Sequence, residues 1–220
     1  MPVHHQAQGA GDVTVHKIEN MGSLGNNGYI VICPETNQAV CIDTPDEPEK
    51  MINEVREAGV DVQAILVTHG HGDHLAGYNE ITGSIGAPAA IGELDAHLPP
   101  GPVQRQLNDG DTVQFGNRTI QCIHTPGHTD GSTCYVVGGF LFSGDTLFPG
   151  GPGRSRSPEA LGQLLNSISS KLLTLPADTY VYPGHGPENT TIAEATRRYD
   201  VFMAKDHPAD LQGDVDWLNT

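Results

Sequence analysis

The sequence predicts an α+β domain in which β-sheets pack on one another and helices cover them from outside. Many short apolar runs, each bounded by Gly, Pro, Asn or Asp, recur along the chain and read as strands. Stretches with apolar residues at helical spacing are interspersed among them. The 27 glycines and 16 prolines supply the turns that so many short elements require. The 220-residue length is accommodated by one domain with a sizeable core.

Taken in order, residues 1–11 are polar and read as a flexible tail ahead of a domain spanning 12–220. Asp12–Ile18 alternates and predicts a strand. Tyr29–Cys33 and Ala39–Asp43 are apolar runs flanking Pro-Glu-Thr-Asn-Gln, a hairpin signal. Pro48–Ala58 places Met51, Ile52 and Val55 at helical spacing, and Gly59 ends the helix. Val62–Thr68 is a buried strand, with a helix expected over His74–Ile81. Pro88–Gly92 predicts a strand and Leu98–Pro102 a Pro/Gly turn. Thr112–Phe115 and Arg118–Thr125 form a hairpin about Gly116-Asn117, and Ser132–Val137 pairs with Phe140–Ser143 across Gly138-Gly139. Pro158–Leu173 aligns Leu161, Leu164, Leu165, Ile168 and Leu172 on one helical face. Thr179–Tyr182 is the last strand and Thr191–Met203 the last helix. There is no internal repeat, low-complexity tract or linker.

The formal net charge is −16. Such a surface repels phosphate backbones, and no basic run offsets it, so nucleic acid is excluded as a partner. No apolar stretch approaches the ~20 residues of a membrane-spanning helix. The N-terminus lacks an apolar signal core, so a cytoplasmic location and a small-molecule substrate are expected. Oligomeric state has no signature. Cys33, Cys41, Cys122 and Cys134 form no Cys-x-x-Cys pair and sit in apolar runs, as buried free thiols do.

The chemistry concentrates in His69-Gly70-His71-Gly72-Asp73-His74, directly after an apolar strand. Imidazole nitrogens and carboxylate oxygens bind Zn²⁺ at ~2.0–2.2 Å. The two glycines let the loop turn, so these side chains can divide between two ions. His128, Asp145 and His185 each follow an apolar strand and each has a glycine beside it. Singly, each is an ordinary loop residue. Together with the first segment they make five histidines and two aspartates, too many for one tetrahedral ion. That number suits two metals bridged by a carboxylate. His4, His5, His16, His97, His124 and His207 are read as non-ligands. His124, at a strand end before Pro126, is the nearest to an orienting role. Cys134 is read as core packing rather than a nucleophile.

These motifs resemble the metallo-β-lactamase superfamily, and within it the glyoxalase II (hydroxyacylglutathione hydrolase)-like group, over Asp12 to about Met203. The resemblance implies an αββα sandwich of two mixed sheets with outer helices and the metals at one edge. It implies that His69, His71 and His128 hold a first metal, that Asp73, His74 and His185 hold a second, and that Asp145 bridges. It further implies a hydrolase that uses a metal-activated hydroxide on a thioester, with Asp73 and Asp145 as catalytic residues and two divalent ions, zinc first and iron or manganese next. Ser143-Gly-Asp-Thr-Leu-Phe-Pro-Gly-Gly-Pro-Gly-Arg154 resembles the glyoxalase II segment after the bridging aspartate, where a basic residue at the Arg154 position holds the carboxylate of the thiol carrier. Arg156 stands where the group often has an aromatic, and is a further candidate for substrate binding. The chain also departs from the group after His185, where only one helix and a tail replace the helical domain that completes the glutathione site.

Related readings remain. True β-lactamases lack a bridging aspartate, and flavodiiron proteins carry a glutamate ligand in the loop. Lactonases share the ligand set. A persulfide dioxygenase of the same fold uses one iron held by two histidines and one aspartate, here His71 or His69, His128 and Asp145. A non-catalytic scaffold that uses metal only to fold would not need open coordination positions. The walls of the pocket are expected from Gly92–Asp111 and Pro149–Ser157.

Overall fold

The computed structural model describes residues 3–6, 13–188 and 190–220. A seven-stranded sheet runs in sequence order: β1 (Val3–Gln6), β2 (Thr14–Met21), β3 (Asn26–Ile32), β4 (Gln38–Ile42), β5 (Asp61–Val67), β6 (Ala89–Gly92) and β7 (Arg105–Leu107). It is antiparallel from β1 to β4 and parallel from β4 to β7. The second sheet holds β8 (Thr112–Phe115), β9 (Arg118–His124), β10 (Thr133–Val137), β11 (Phe140–Gly144) and, after a small hairpin of β12 (Leu147–Phe148) with β13 (Gly151–Pro152), the strand β14 (Tyr180–Pro183). Its order is β14-β11-β10-β9-β8, with β11 and β14 parallel and the other pairs antiparallel. The helices are α1 (Glu49–Ala58), α2 (Gly72–Leu75), α3 (Tyr78–Ile85), α4 (Pro158–Ser167) and α5 (Ile192–Met203).

Strand pleating divides the apolar residues into three cores. Tyr29, Val31, Val40, Ile42 and Leu66 of the first sheet meet Phe115, Cys122, Tyr135, Phe142 and Tyr182 of the second. Their neighbours Ile30, Ile32, Cys41, Ile65 and Val67 face the other way, onto Met51 and Ile52 of α1 and Ile81 of α3. Cys134, Leu141 and Val181 face outward under Leu161 and Leu164 of α4 and Phe202 of α5. Both sheets are therefore covered on both faces, which is why their central strands are apolar throughout rather than alternating. Stacking the layers gives the αββα sandwich, and all four cysteines are buried and free within it.

The helix ends follow their sequence signals. Gly59 caps α1 in the left-handed conformation (φ 64°). Ser157 accepts a hydrogen bond from Ala160 N ahead of Pro158, and Thr191 accepts one from Glu194 N.

Three expectations are corrected. The stretch read as a tail contains β1, whose residues pair antiparallel with Thr14–Lys17 and so satisfy the outer edge of β2; residues 1, 2 and 7–12 lie outside the described residues. The helix expected over His74–Ile81 is two pieces, α2 and α3. They break at Gly77, whose N–H bonds Thr44 O and where a Cβ would lie 2.4 Å from Pro45 O. The long helix after Pro158 changes at Ile168 into a π-helical turn, Ile168–Leu172. No helix among the described residues is long and apolar enough to cross a membrane.

Phe142 ties the two sheets together. It is fully buried, with its ring 5.1 Å from that of Tyr29 and 5.5 Å from that of Tyr182. Phe142→Ala is expected to cost about 3–5 kcal/mol of stability, read from urea unfolding at fixed metal concentration. A loss under about 1 kcal/mol would show that this contact is not central to the sandwich.

Candidate metal centre

The topology brings the polar residues to one edge. β4 and β5 run parallel, so Asp43 and His69 emerge at the same end. β10 is antiparallel to both β9 and β11, so β9 and β11 share a direction, and β14 is parallel to β11. His128, Asp145 and His185 therefore follow strands that point the same way. β3 runs against β4, which places Asn26, at its start, on this edge too. A bond from Thr133 N to Thr68 O joins the two sheets there.

All seven residues singled out in the sequence meet at this edge. His69 Nε2 lies 3.1 Å from His71 Nδ1, and His128 Nε2 lies 2.9 Å from the same atom. His74 Nε2 is 3.3 Å from His185 Nε2 and 3.5 Å from Asp73 Oδ2, and His185 Nε2 is 3.2 Å from Asp73 Oδ2. Asp145 stands between the groups, 3.4 Å from His74 Nε2, 3.6 Å from His128 Nε2 and 3.5 Å from His185 Nε2. These separations match the ~3.3 Å edge of a tetrahedron with ~2.0–2.1 Å bonds. Three overlapping sets of ligand atoms form: His69/His71/His128, His69/His74/Asp145 and Asp73/His74/His185. Asp145 Oδ1 is buried without a hydrogen-bond partner, the condition of an acceptor built for a cation.

The ring orientations are fixed from behind. His69 Nδ1 donates to Thr68 Oγ1 (3.1 Å), His74 Nδ1 to Asp43 Oδ2 (3.0 Å), His128 Nδ1 to Arg154 O (2.8 Å) and His185 Nδ1 to Leu24 O (3.1 Å). Each bond turns Nε2 toward the centre. His71 is the exception and presents Nδ1. Asn26 Nδ2 donates to Asp73 Oδ2 at 2.7 Å and orients that carboxylate. Two glycines make room for the cluster. A Cβ on Gly184 would stand 2.3 Å from Asp145 Oδ1, and one on Gly153 would stand 1.7 Å from Asp145 O.

Three supporting residues escaped the sequence reading. Asp43 is buried with φ 62°, an uncommon conformation for a residue with a Cβ. It accepts from Thr68 N (2.7 Å), from Thr68 Oγ1 and from His74 Nδ1. One carboxylate thus aligns His74 directly and His69 through Thr68. Asp95 accepts from Gly70 N, Thr129 Oγ1 and Gly131 N, joining the His69–His74 loop to the loop of His128. Lys17, 1% exposed, donates to Gly186 O and pairs with Glu188, pinning the segment after His185. A single aspartate or lysine carries no motif, so its role is visible only once its partners are in place.

The charges divide unevenly. Burial holds the imidazolium of His69, His71 and His128 below its usual range, so all three are neutral donors near pH 7. Burial acts in the same sense on His74 and His185, but carboxylates overcome it. Asp43 and Asp145 raise His74, and hydrogen bonds with Asp145 and Asp73 lift His185 to about 10. Burial opposes ionisation of Asp145, and the imidazoles of His185 and His74 close beside it more than reverse that.

A cleft of about 310 Å³ opens beside His128 and Asp145, walled by Phe148, residues 150–154 and Asp214, Val215 and Asp216. Arg154 stands in that wall. Arg156 is exposed and is not among the residues that line the cleft. The 92–111 segment contributes differently from expectation: Leu98 packs so closely on Gly70 that a Cβ there would meet it at 2.1 Å. His124 bonds Asp130 O across the loop that carries His128 and is not among the grouped ligands. His16, bonded to Glu54, and His207, stacked on Phe202, also stay apart from the cluster; the side chains of His4 and His5 lie outside the described residues.

The family model for the metallo-beta-lactamase superfamily matches residues 22–185. A hydroxyacylglutathione hydrolase of Maricaulis maris is 34% identical over 191 residues, 85% of this chain and 70% of the relative. The crystal structure of ETHE1 from Myxococcus xanthus superposes with a TM-score of 0.73 at 29% identity, covering 86% of this chain and 85% of the other. A di-iron-bound form of TTHA1623 gives 0.70 at 34% identity, over 81% of this chain and 96% of the other.

Two outcomes follow from the geometry. Asp43→Asn is expected to weaken metal at both ligand sets by about 10–100-fold, whereas Thr68→Val weakens chiefly the set that includes His69. Chelator competition measures each, and retention of both ions within twofold in Asp43→Asn would remove the shared role of Asp43. A metal entering beside His74 and His185 must displace their protons. Its affinity should therefore rise with pH, roughly tenfold per unit for each proton released, through neutrality toward about 10. Calorimetry in buffers of differing ionisation enthalpy reads the proton count, and a pH-independent affinity would contradict the charged state of these two rings.

Proposed function

This chain belongs to the metallo-β-lactamase superfamily, and from that premise we propose that it is a dinuclear metal-dependent hydrolase of glyoxalase II type acting on a thioester. The observation that carries the reading is the position of Asp145, within 3.4–3.6 Å of His74, His185 and His128 and with one oxygen left unpartnered. His69, His71 and His128 would hold one ion, Asp73, His74 and His185 the other, and Asp145 both. Zinc suits the nitrogen and oxygen donors, and iron or manganese is accepted by the same set. A bound pair supplies Lewis acidity, acidifying water and polarising the thioester carbonyl.

The chain's own residues do the rest. Asp73, steered by Asn26, and Asp145, wedged against Gly184, keep two carboxylate oxygens at fixed positions beside the reacting centre. Gly151 and Gly153 let the 150–153 backbone pack against Val215 O and Asp145 O, which fixes this wall of the cleft beside Asp145. Arg154 faces the thiol carrier from the cleft wall. No separate serine or cysteine is required as a nucleophile, and Cys134, buried with its thiol raised to about 11, is unsuited to be one.

A second reading, a mononuclear-iron persulfide dioxygenase, draws on the likeness to ETHE1 from Myxococcus xanthus. Against it stands the complete second set, Asp73, His74 and His185, which one iron would leave unused.

Protein purified without chelator should hold close to two zinc, or a zinc–iron mixture, per chain by elemental analysis, and should hydrolyse thioesters. Asp145→Ala should lose metal and more than about a hundredfold of activity, while His124→Ala falls less than His128→Ala. One iron per chain with oxygen uptake on a persulfide, and no thioester turnover, would replace the hydrolase by the dioxygenase. Turnover of lactones alone would shift the substrate class to esters.

A further inference from the structure

The C-terminal segment closes back on the cleft. Gly213 and Ser155 exchange backbone hydrogen bonds of 3.1 and 3.2 Å, and Trp217 N donates to Gly150 O at 3.0 Å. Trp217 is fully buried, its ring edge-on to Tyr199 at 5.7 Å. Gly151 approaches so closely that a Cβ would lie 2.5 Å from Val215 O. This strap is anchored at both ends, and between its anchors Asp214, Val215 and Asp216 line the cleft that opens on Asp145.

The cleft is also lined by His128 and Asp145 of the ligand cluster, so it adjoins the candidate metal centre independently of the strap. Among the described residues Arg154 is the only arginine or lysine that lines the cleft, and its largely exposed guanidinium lies 3.7 Å from the equally exposed Asp214. A carboxylate on the substrate would meet the charge of Asp214 together with that of Arg154. Asp216 accepts from Leu218 N and Asn219 N, which holds its carboxyl below the usual range and keeps it ionised. The wall beside the thiol carrier thus bears two carboxylates against one guanidinium.

We propose that this strap is part of the substrate site and sets its charge selectivity, favouring thioesters whose leaving thiol is cationic or neutral beside the strap over those whose thiol is anionic. The inference rests on the thioester reading for the identity of the ligand. It sets the charges of Asp214 and Asp216 against a carboxylate-binding role for Arg154, so that an anionic carrier gains little from the guanidinium.

The test separates the two. Cobalt-loaded protein is titrated with cysteamine, mercaptoethanol and mercaptopropionate, following the thiolate-to-cobalt absorption. Acetylthiocholine, S-acetylmercaptoethanol and S-acetylmercaptopropionate are assayed for hydrolysis by the zinc-loaded protein, the quaternary ammonium standing for the cationic thiol because a free amine would take the acetyl group itself. The wild type should favour cysteamine over mercaptopropionate, and Asp214→Asn/Asp216→Asn should shrink that ratio by about 3- to 10-fold, the scale of two exposed charges. Any preference of the free amine for cobalt is common to both proteins and cancels in the comparison. Asp210→Asn, an exposed carboxylate of the same tail outside the cleft, should leave the ratio where it was. An unchanged ratio in the double variant overturns the strap's role whether or not thioesters are hydrolysed. A strap-dependent ratio with no thioester hydrolysis upholds the charge selectivity and overturns the thioesterase reading alone.

Discussion

Five imidazoles and two carboxylates are held with their ligand atoms about 3 Å apart at one edge of the sandwich, and the surrounding structure answers to that constraint. Such a cluster sets nitrogen against nitrogen and removes carboxylates from water, so its surroundings must hold it in place. Four of the five rings are tethered from behind, most of them by groups at strand ends. Asp43 follows β4, Thr68 follows β5, Asn26 opens β3 and orients Asp73, and Arg154 O lies just beyond β13. The strand directions needed to deliver these groups to one edge account for the mixed topology. β4 and β5 must be parallel for Asp43 and His69 to be neighbours, and β14 must lie parallel to β11 for His185 to reach Asp145.

The arrangement also explains where the chain tolerates no side chain. Gly184 and Gly153 sit where the cluster needs volume, and Gly77 where the loop behind His74 presses on Pro45. At each, an alanine methyl would meet backbone or a ligand atom closer than van der Waals contact allows. These glycines serve close approach more than turning, because none of the three has a positive φ. Packing at the edge is thus as demanding as packing in the apolar cores, and for the same reason.

Much of this was legible in the sequence, and the limits have physical causes. The central strands β3, β4, β5, β9, β10 and β11 announce themselves by apolar runs because they are buried on both faces. The seven clustered residues announce themselves because reactive side chains stand next to glycines after those runs. The short strands β1, β7, β12 and β13 carry too few residues for any periodicity to register. The break at Gly77 is imposed by Thr44 and Pro45, distant in sequence, so no local pattern reports it. Asp43 and Asp95 likewise look like turn aspartates until the fold brings their donors to them. Arg156 is a candidate because it stands where the resembling group often has an aromatic, and it lies outside the lining of the cleft, past Ser155, which is tied to Gly213.

On the proposed reading, the chain after β14 serves both packing and selection, and the second needs little sequence. α5 packs its apolar face on the second sheet and contributes to the core. Beyond it, a few residues gain a fixed place from one buried indole and three backbone hydrogen bonds. An anchor of that kind leaves the residues between its fixed points free to vary in charge without disturbing the strands that position the ligand cluster. Charge at the strap and geometry at the strand ends are separable: the former acts through exposed carboxylates in high dielectric, the latter through buried bonds whose loss would reorient a ring. On the proposed reading, Asp214 and Asp216 could change while the reacting centre stays as it is, because neither bonds a member of the ligand cluster, whereas Arg154 belongs to both through its guanidinium and its carbonyl.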